Sequence, residues 1–498
     1  MRPSSAFPRR ATARAGVDPR LPTLLRWLSL LAVLAALAAA GAAHARPAPD
    51  SFADLAEKLL PGVVNVSTTQ KVEKGAADDE LDQFFKEFFD KQSKPSQQRR
   101  AMSLGSGFII DPAGYIVTNN HVIADAEAIK VRLHDDTELD AKVVGRDDKT
   151  DLALLKVESK TPLQALKWGD SDKTRIGDWV LAIGNPFGLG GSVTAGILSA
   201  RQRDINAGPY DDFLQTDASI NKGNSGGPLF NVDGEVIGID TAIFSPSGGS
   251  VGIGFAIPSN LARNVIEQLK GYGHARRGWL GVRIQSVTDE LAEGLHLQGN
   301  KGALIANVTD GGPAAKAGIE QGDVVIRFDG KQVDEMRKLP RMVAETPIEK
   351  EVEVVVWRKG KEMTLKVTLG ELDETEVAAA AATTTTESPK PAPKPKTGKV
   401  DLLGMTLSEI TPALKKQYEL ADDSAGVVVT EVKGDSAASE KGLTAGDLIV
   451  EVDQKSVGKP DDIDKQIKEA KTNGYRVVTL LVFRSGDYRW VALRIDQS

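Results

Sequence analysis

The segment Gly223-Asn224-Ser225-Gly226-Gly227-Pro228 constrains this 498-residue chain more than any other. Glycines on both sides leave the Ser225 hydroxyl exposed and let the neighbouring backbone N–H groups converge on one point. Such a turn suits attack on a carbonyl, because the negative oxygen that forms must meet donors already in place. Downstream come Pro228-Leu229-Phe230, a turn at Asn231-Val232-Asp233-Gly234 and the run Glu235-Val236-Ile237-Gly238-Ile239, the pattern of a β-hairpin. Upstream, His121 and Asp151 supply a base and an orienter, in the order His, Asp, Ser.

The same turn satisfies the Gly-x-Ser-x-Gly pattern of a nucleophile elbow. That elbow needs a helix after the serine and an acid and a histidine later in the chain. Here a strand follows, and the later histidines, His274 and His296, lie near glycines in segments that lack a triad context. The elbow is therefore rejected. His121 leaves a two-strand unit, Gly107-Phe108-Ile109-Ile110 and Tyr115-Ile116-Val117 around the turn Asp111-Pro112-Ala113-Gly114, so a strand end can carry it into a cleft. Asp151 opens the apolar run Leu152-Ala153-Leu154-Leu155-Lys156-Val157, where a carboxylate can be buried; Asp147 and Asp148, in the polar stretch before it, compete for the role.

Together these segments resemble the trypsin-like serine proteases, and more closely their HtrA/DegP (peptidase Do) branch. The resemblance rests on Thr118-Asn119-Asn120-His121-Val122, Thr150-Asp151-Leu152-Ala153-Leu154-Leu155-Lys156 and the Ser225 turn. Gly184-Asn185-Pro186-Phe187-Gly188 and Gly252-Ile253-Gly254-Phe255-Ala256-Ile257-Pro258 add to it. It implies a mostly β chain with a double β-barrel over residues 46–272. It further implies a triad of His121, Asp151 and Ser225, and an oxyanion hole from the N–H groups of Gly223 and Ser225. The S1 pocket then falls at Ala218-Ser219-Ile220, where no acid stands. Ile220 and Ile243 either line an apolar pocket suited to Val or Ala or are plain core. Arg203, in Ala200-Arg201-Gln202-Arg203-Asp204, occupies the place of the family's regulatory relay.

Residues 278–370 and 400–498 form a diverged repeat. Leu280-Gly281-Val282 answers to Leu403-Gly404-Met405 and Gly322-Asp323 to Gly446-Asp447, at offsets of 123 and 124 residues. Two copies this long are domains, not a solenoid. With Pro313-Ala314-Ala315-Lys316-Ala317-Gly318-Ile319 in the first copy and Ser436-Ala437-Ala438 in the second, they resemble PDZ domains: small five- to six-stranded barrels with helices. A PDZ domain adds a peptide as a strand and captures its C-terminal carboxylate on loop N–H groups. Leu280, Gly281 and Val282 are the expected capture loop; the second copy either binds peptide or only joins subunits. The joining stretch 371–399, with an alanine run, Thr383-Thr384-Thr385-Thr386 and alternating Pro and Lys, cannot bury a core. It reads as a flexible linker that lets the second copy move independently. A polar stretch at about 68–103 carries Phe84, Phe85, Phe88 and Phe89. Those rings form one face if helical, and by resemblance the stretch is a regulatory loop.

Arg9, Arg10, Arg14, Arg20 and Arg26 precede an apolar run from Trp27 and the pattern Ala43-His44-Ala45. This is a Sec-type signal peptide over residues 1–45, with a retained anchor as the alternative. Export to the periplasm fits a chain with no cysteine, whose core is large enough to need no disulfide. The net charge of −7, without a basic patch beyond the leader, argues against nucleic acid, and membrane contact is at most peripheral. Neither a metal site nor a cofactor or nucleotide loop is visible. The expected function is an ATP-independent serine endopeptidase for misfolded envelope proteins, recognising C-terminal peptides and assembling as a homotrimer with larger cages. The alternative is a chaperone or peptide-binding scaffold with a largely latent protease site.

Overall fold

A computed structural model describes residues 49–71, 100–185, 191–246, 249–372 and 400–495. The signal segment and Phe84, Phe85, Phe88 and Phe89 lie outside the described residues, as does most of the joining stretch. No helix among the described residues is long and apolar enough to cross a membrane.

Six strands form a first closed barrel: β1 (Val63–Lys71), β2 (Arg100–Asp111), β3 (Tyr115–Asn119), β4 (Ala128–Arg132), β5 (Glu138–Asp147) and β6 (Leu152–Val157). Alternation drives the closure. In β4, Ile129 and Val131 turn inward while Ala128 and Lys130 face out, the two-residue period of a half-buried strand. Residues 68–71 and 100–103, at the two ends of the stretch expected to be a loop, are strand. β1 and β2 pair in register out to Lys71 and Arg100, because backbone pairing does not require apolar side chains.

Seven more strands follow: β7 (Lys167–Trp168), β8 (Trp179–Gly184), β9 (Ser192–Arg203), β10 (Phe213–Thr216), β11 (Pro228–Asn231), β12 (Glu235–Ile243) and β13 (Gly254–Pro258). Their order is β11-β8-β9-β10-β13-β12, and β11 pairs back onto β12 to close a second barrel, with β7 added outside β12. β11 and β12 are the hairpin read from the sequence after Ser225. A helix, Ser259–Tyr272, then packs on β5, β6 and β12 and delivers the chain to the repeats.

The first repeat contains β14 (Gly278–Trp279), β15 (Val282–Ser286), β16 (Ala303–Val308), β17 (Val324–Phe328), β18 (Lys331–Gln332), β19 (Glu351–Arg358), β20 (Lys361–Thr368) and β21 (Gly370–Glu371). The second contains β22 (Val400–Leu402), β23 (Met405–Glu409), β24 (Val427–Val432), β25 (Leu448–Val452), β26 (Lys455–Ser456), β27 (Val477–Arg484) and β28 (Asp487–Arg494). The recurring Gly-Asp pair has a shared cause. Asp323 and Asp447 are both buried, each gripped by an arginine from the same place in its copy, Arg358 and Arg484. Each aspartate also takes a backbone N–H from the turn before it, that of Glu320 and of Thr444.

The second copy does not stand apart from the first, contrary to the expectation from the joining stretch. The sheets share one apolar cluster, in which Leu291, Leu304 and Val324 meet Leu481, Trp490 and Ala492. Gln285 exchanges hydrogen bonds with the backbone of Trp490 at 2.7 and 3.0 Å, and the indole N–H of Trp490 donates to the Ile305 carbonyl at 3.1 Å. A stretch without a core of its own says nothing about the surfaces at its two ends. Trp490→Ala is expected to cost about 3–5 kcal/mol and to split one cooperative unfolding transition of the tandem into two, as read by calorimetry.

Candidate active site

Asp151 stands at the mouth of β6 with φ +55°, a left-handed conformation that aspartate tolerates better than most residues. This bend turns its backbone and its carboxylate to different partners. The Asp151 carbonyl accepts from Asn119 Nδ2 at 2.9 Å and from the Asn120 N–H at 3.1 Å. Oδ1 accepts the backbone N–H of His121 at 2.8 Å, and Oδ2 lies 2.6 Å from His121 Nδ1. A third donor, Thr241 Oγ1 on β12, reaches Oδ2 at 2.8 Å. His121 itself lies in a short helix, Asn120–Ile123, and is half exposed. Of the competing acids, Asp147 is engaged elsewhere: it is 4% exposed and pairs at 2.5 Å with Arg277, itself 7% exposed.

The Ser225 turn is fastened between the two barrels. The peptide unit joining Ser225 to Gly226 is bonded on both sides: its carbonyl accepts the Ser106 N–H at 2.8 Å, and its N–H donates to the Asp240 carbonyl at 2.7 Å. The Asp240 N–H donates in turn to Gly227 at 2.8 Å. Ser106 Oγ donates to the Gly223 carbonyl at 2.7 Å and accepts from Asn185 N at 2.8 Å. Gly226 is required here: with φ +87°, a Cβ would lie 2.2 Å from the Ser106 carbonyl and 2.3 Å from Thr118 Oγ1. Ser225 Oγ and the imidazole form no hydrogen bond among the described residues; such contacts often tighten only around substrate.

An imidazole with its Nδ1 held by a carboxylate and a serine on a stapled glycine turn between two β-barrels are the equipment of acyl transfer. Comparison with known proteins agrees. The trypsin-like peptidase domain family matches residues 105–239, and the PDZ domain family matches residues 278–369 and 402–495. A probable periplasmic serine endoprotease DegP-like from Brucella suis biovar 1 (strain 1330) is 42% identical over 486 residues, covering 91% of each chain. The protein of the same description from Bartonella henselae is 45% identical over 466 residues, covering 89% of each. Among solved structures, the HtrA-type protease AlgW with decapeptide matches with a TM-score of 0.54 and 42% identity, over 65% of this chain and 99% of that one.

The chain belongs to the HtrA/DegP family of serine endoproteases. The other residues expected from that family fall as follows. Ile220 is buried, and Ile243 packs against the same apolar cluster, which also holds Ala218 and Ala256. Arg203 ends β9, its Nε donating to Gln215 Oε1 at 2.9 Å. Its neighbour Asp204 pairs with Arg337 of the first PDZ domain at 2.6 Å, and Asp212 pairs with Arg341.

The two expected capture loops differ. In the first PDZ domain β14 pairs away with β21, and β15 ends its sheet with an unpaired edge among the described residues. In the second, Leu403 and Gly404 both have positive φ, +52° and +79°. That is the signature of a two-residue type I′ hairpin turn. It folds β22 back along the outer edge of β23, Leu402 opposite Met405 and Val400 opposite Leu407.

Sequence reasoning missed Ser106, Thr241 and Asp240. The first two act through hydrogen bonds across the barrel junction, and no local spacing announces them.

Proposed function

We propose that this chain is an ATP-independent periplasmic endoprotease that cuts unfolded envelope proteins after small aliphatic residues by acyl-enzyme chemistry at Ser225. The observation that carries the reading is the Asp151 carboxylate, which accepts from the His121 ring, the His121 backbone and Thr241 at once. This holds the imidazole with Nδ1–H donated and leaves Nε2 as the base. Ser225 Oγ attacks the scissile carbonyl while Nε2 takes its proton, and the imidazolium then returns that proton to the departing amine. Water repeats the sequence to release the acyl group. N–H groups of Gly223 and Ser225 receive the developing oxyanion, each such donor being worth about 10²–10³ in turnover.

The apolar cluster holding Ala218, Ile220 and Ile243 supports a small aliphatic P1 residue. Periplasmic location is supported by the descriptions of the relatives. Peptide binding is assigned to the first PDZ domain, whose β15 edge is open beside Leu280, Gly281 and Val282; the second has its corresponding edge covered by β22. Arg203 relays between that domain and the barrels, its neighbour Asp204 being held by Arg337. Family membership carries the expectation of a trimer and of larger cages.

Digestion of reduced, unfolded casein without nucleotide, with cut sites mapped by mass spectrometry, tests the reading. Cuts are expected mainly after Val and Ala; cuts dominated by Lys and Arg would refute the pocket assignment.

A further inference from the structure

Asp240 has no part in the chemistry above, yet it sits in an unusual place. It is 0% exposed, and neither carboxyl oxygen has a hydrogen-bond partner among the described residues. Its backbone meanwhile makes the two bonds that seat the nucleophile turn on β12, to Gly226 and Gly227. Asp240 pairs directly with Ala256 across the β12–β13 ladder, and directly opposed residues share a face. Ala256 belongs to the apolar cluster of the second barrel, so the carboxyl group enters that core.

The surroundings offer it no charge. Strands β8, β10, β11 and β13 contain no ionisable side chain. The arginines of β9 are engaged outside, Arg201 with Asp172 and Arg203 with Gln215. Lys222 and Asp217, near the turn, are exposed. Asp151 and His121 lie across the next residue, Thr241. Burial alone therefore holds the Asp240 carboxyl well above the ordinary carboxylate range.

We propose that Asp240 is a positioning residue for the nucleophile: its uncharged carboxylic acid lets β12 lie closed against the Ser225 turn, and loss of its proton unseats that turn. An unpaired carboxylate cannot remain in an apolar core. To reach water, β12 must shift, and the Gly226 and Gly227 bonds shift with it. The sign follows from proton binding. The folded chain holds this proton where the unfolded chain has released it, so the seated state is favoured at low pH. It weakens as pH rises from the unfolded value toward the folded one, tenfold per pH unit for one proton.

The proposal rests on Ser225 being the nucleophile, and the test separates the two. kcat/KM for a peptide with Val at P1 is measured on the full chain and on Asp240→Asn, from the ordinary carboxylate range upward. The wild type is expected to fall tenfold per pH unit as Asp240 gives up its proton, whereas Asp240→Asn, which has no proton to lose, lacks that fall. Profiles of the same shape would overturn the role of Asp240. Should the variant not fold, difference infrared spectroscopy of the wild type decides. A protonated-carboxyl band that vanishes over the pH range of the activity loss supports the proposal, and its absence at the pH of full activity overturns it. Phosphonate labelling at neutral pH distinguishes the foundations: label on a residue other than Ser225 removes the site reading itself. Label on Ser225 with superposable profiles removes only Asp240.

Discussion

Ser225→Ala is expected to lower casein turnover by about 10⁶-fold, the loss seen when the nucleophile of such a triad is removed. What survives is the modest acceleration that oxyanion donors and binding supply alone. The substitution removes one oxygen from a half-buried side chain, while the turn is held by backbone bonds from Ser106 and Asp240. Thermal unfolding should therefore stay within about 0.5 kcal/mol of the wild type, and peptide binding by the first PDZ domain should persist. Casein digestion at an undiminished rate would mean that another residue attacks the substrate.

Asp151→Asn is expected to cost about 10⁴ in kcat with a smaller change in KM. Three donors converge on the two carboxylate oxygens: the His121 N–H, the His121 ring and Thr241. Only an acceptor without hydrogens satisfies all three. Asparagine tolerates the φ of +55°, so the backbone has no reason to move. Its amide group nevertheless points hydrogens at one of the donors and turns the imidazole away from the tautomer that accepts a proton at Nε2. An unchanged kcat, in a variant whose near-ultraviolet circular dichroism matches the wild type, would contradict this account.

The hairpin after Ser225 and the strand opened by Asp151 were legible because each is a contiguous run with its own turn residues and period. The partners that complete the site were not. Ser106 and Thr241 come from strands that neighbour the turn only once both barrels close, and a serine or threonine in a strand has no distinguishing pattern. The loop Leu403-Gly404-Met405 copies Leu280-Gly281-Val282 in residue type, but its meaning depends on a backbone sign at Leu403 that residue type alone does not dictate. The union of the two PDZ domains was hidden for another reason. Leu291, Leu304 and Val324 satisfy the ordinary alternation of a sheet and a helix, and nothing in that alternation distinguishes burial within a domain from burial between two.

That shared cluster bears on how the chain can be divided. Leu304 and Val324 are fully buried and Leu291 nearly so, in a cluster completed by Val477, Leu481, Trp490 and Ala492 of the second copy. A fragment ending after the first PDZ domain would present those three side chains to water as a contiguous greasy face, a surface that invites self-association. Deleting the C-terminal copy therefore does more than subtract a module: it manufactures an adhesive one.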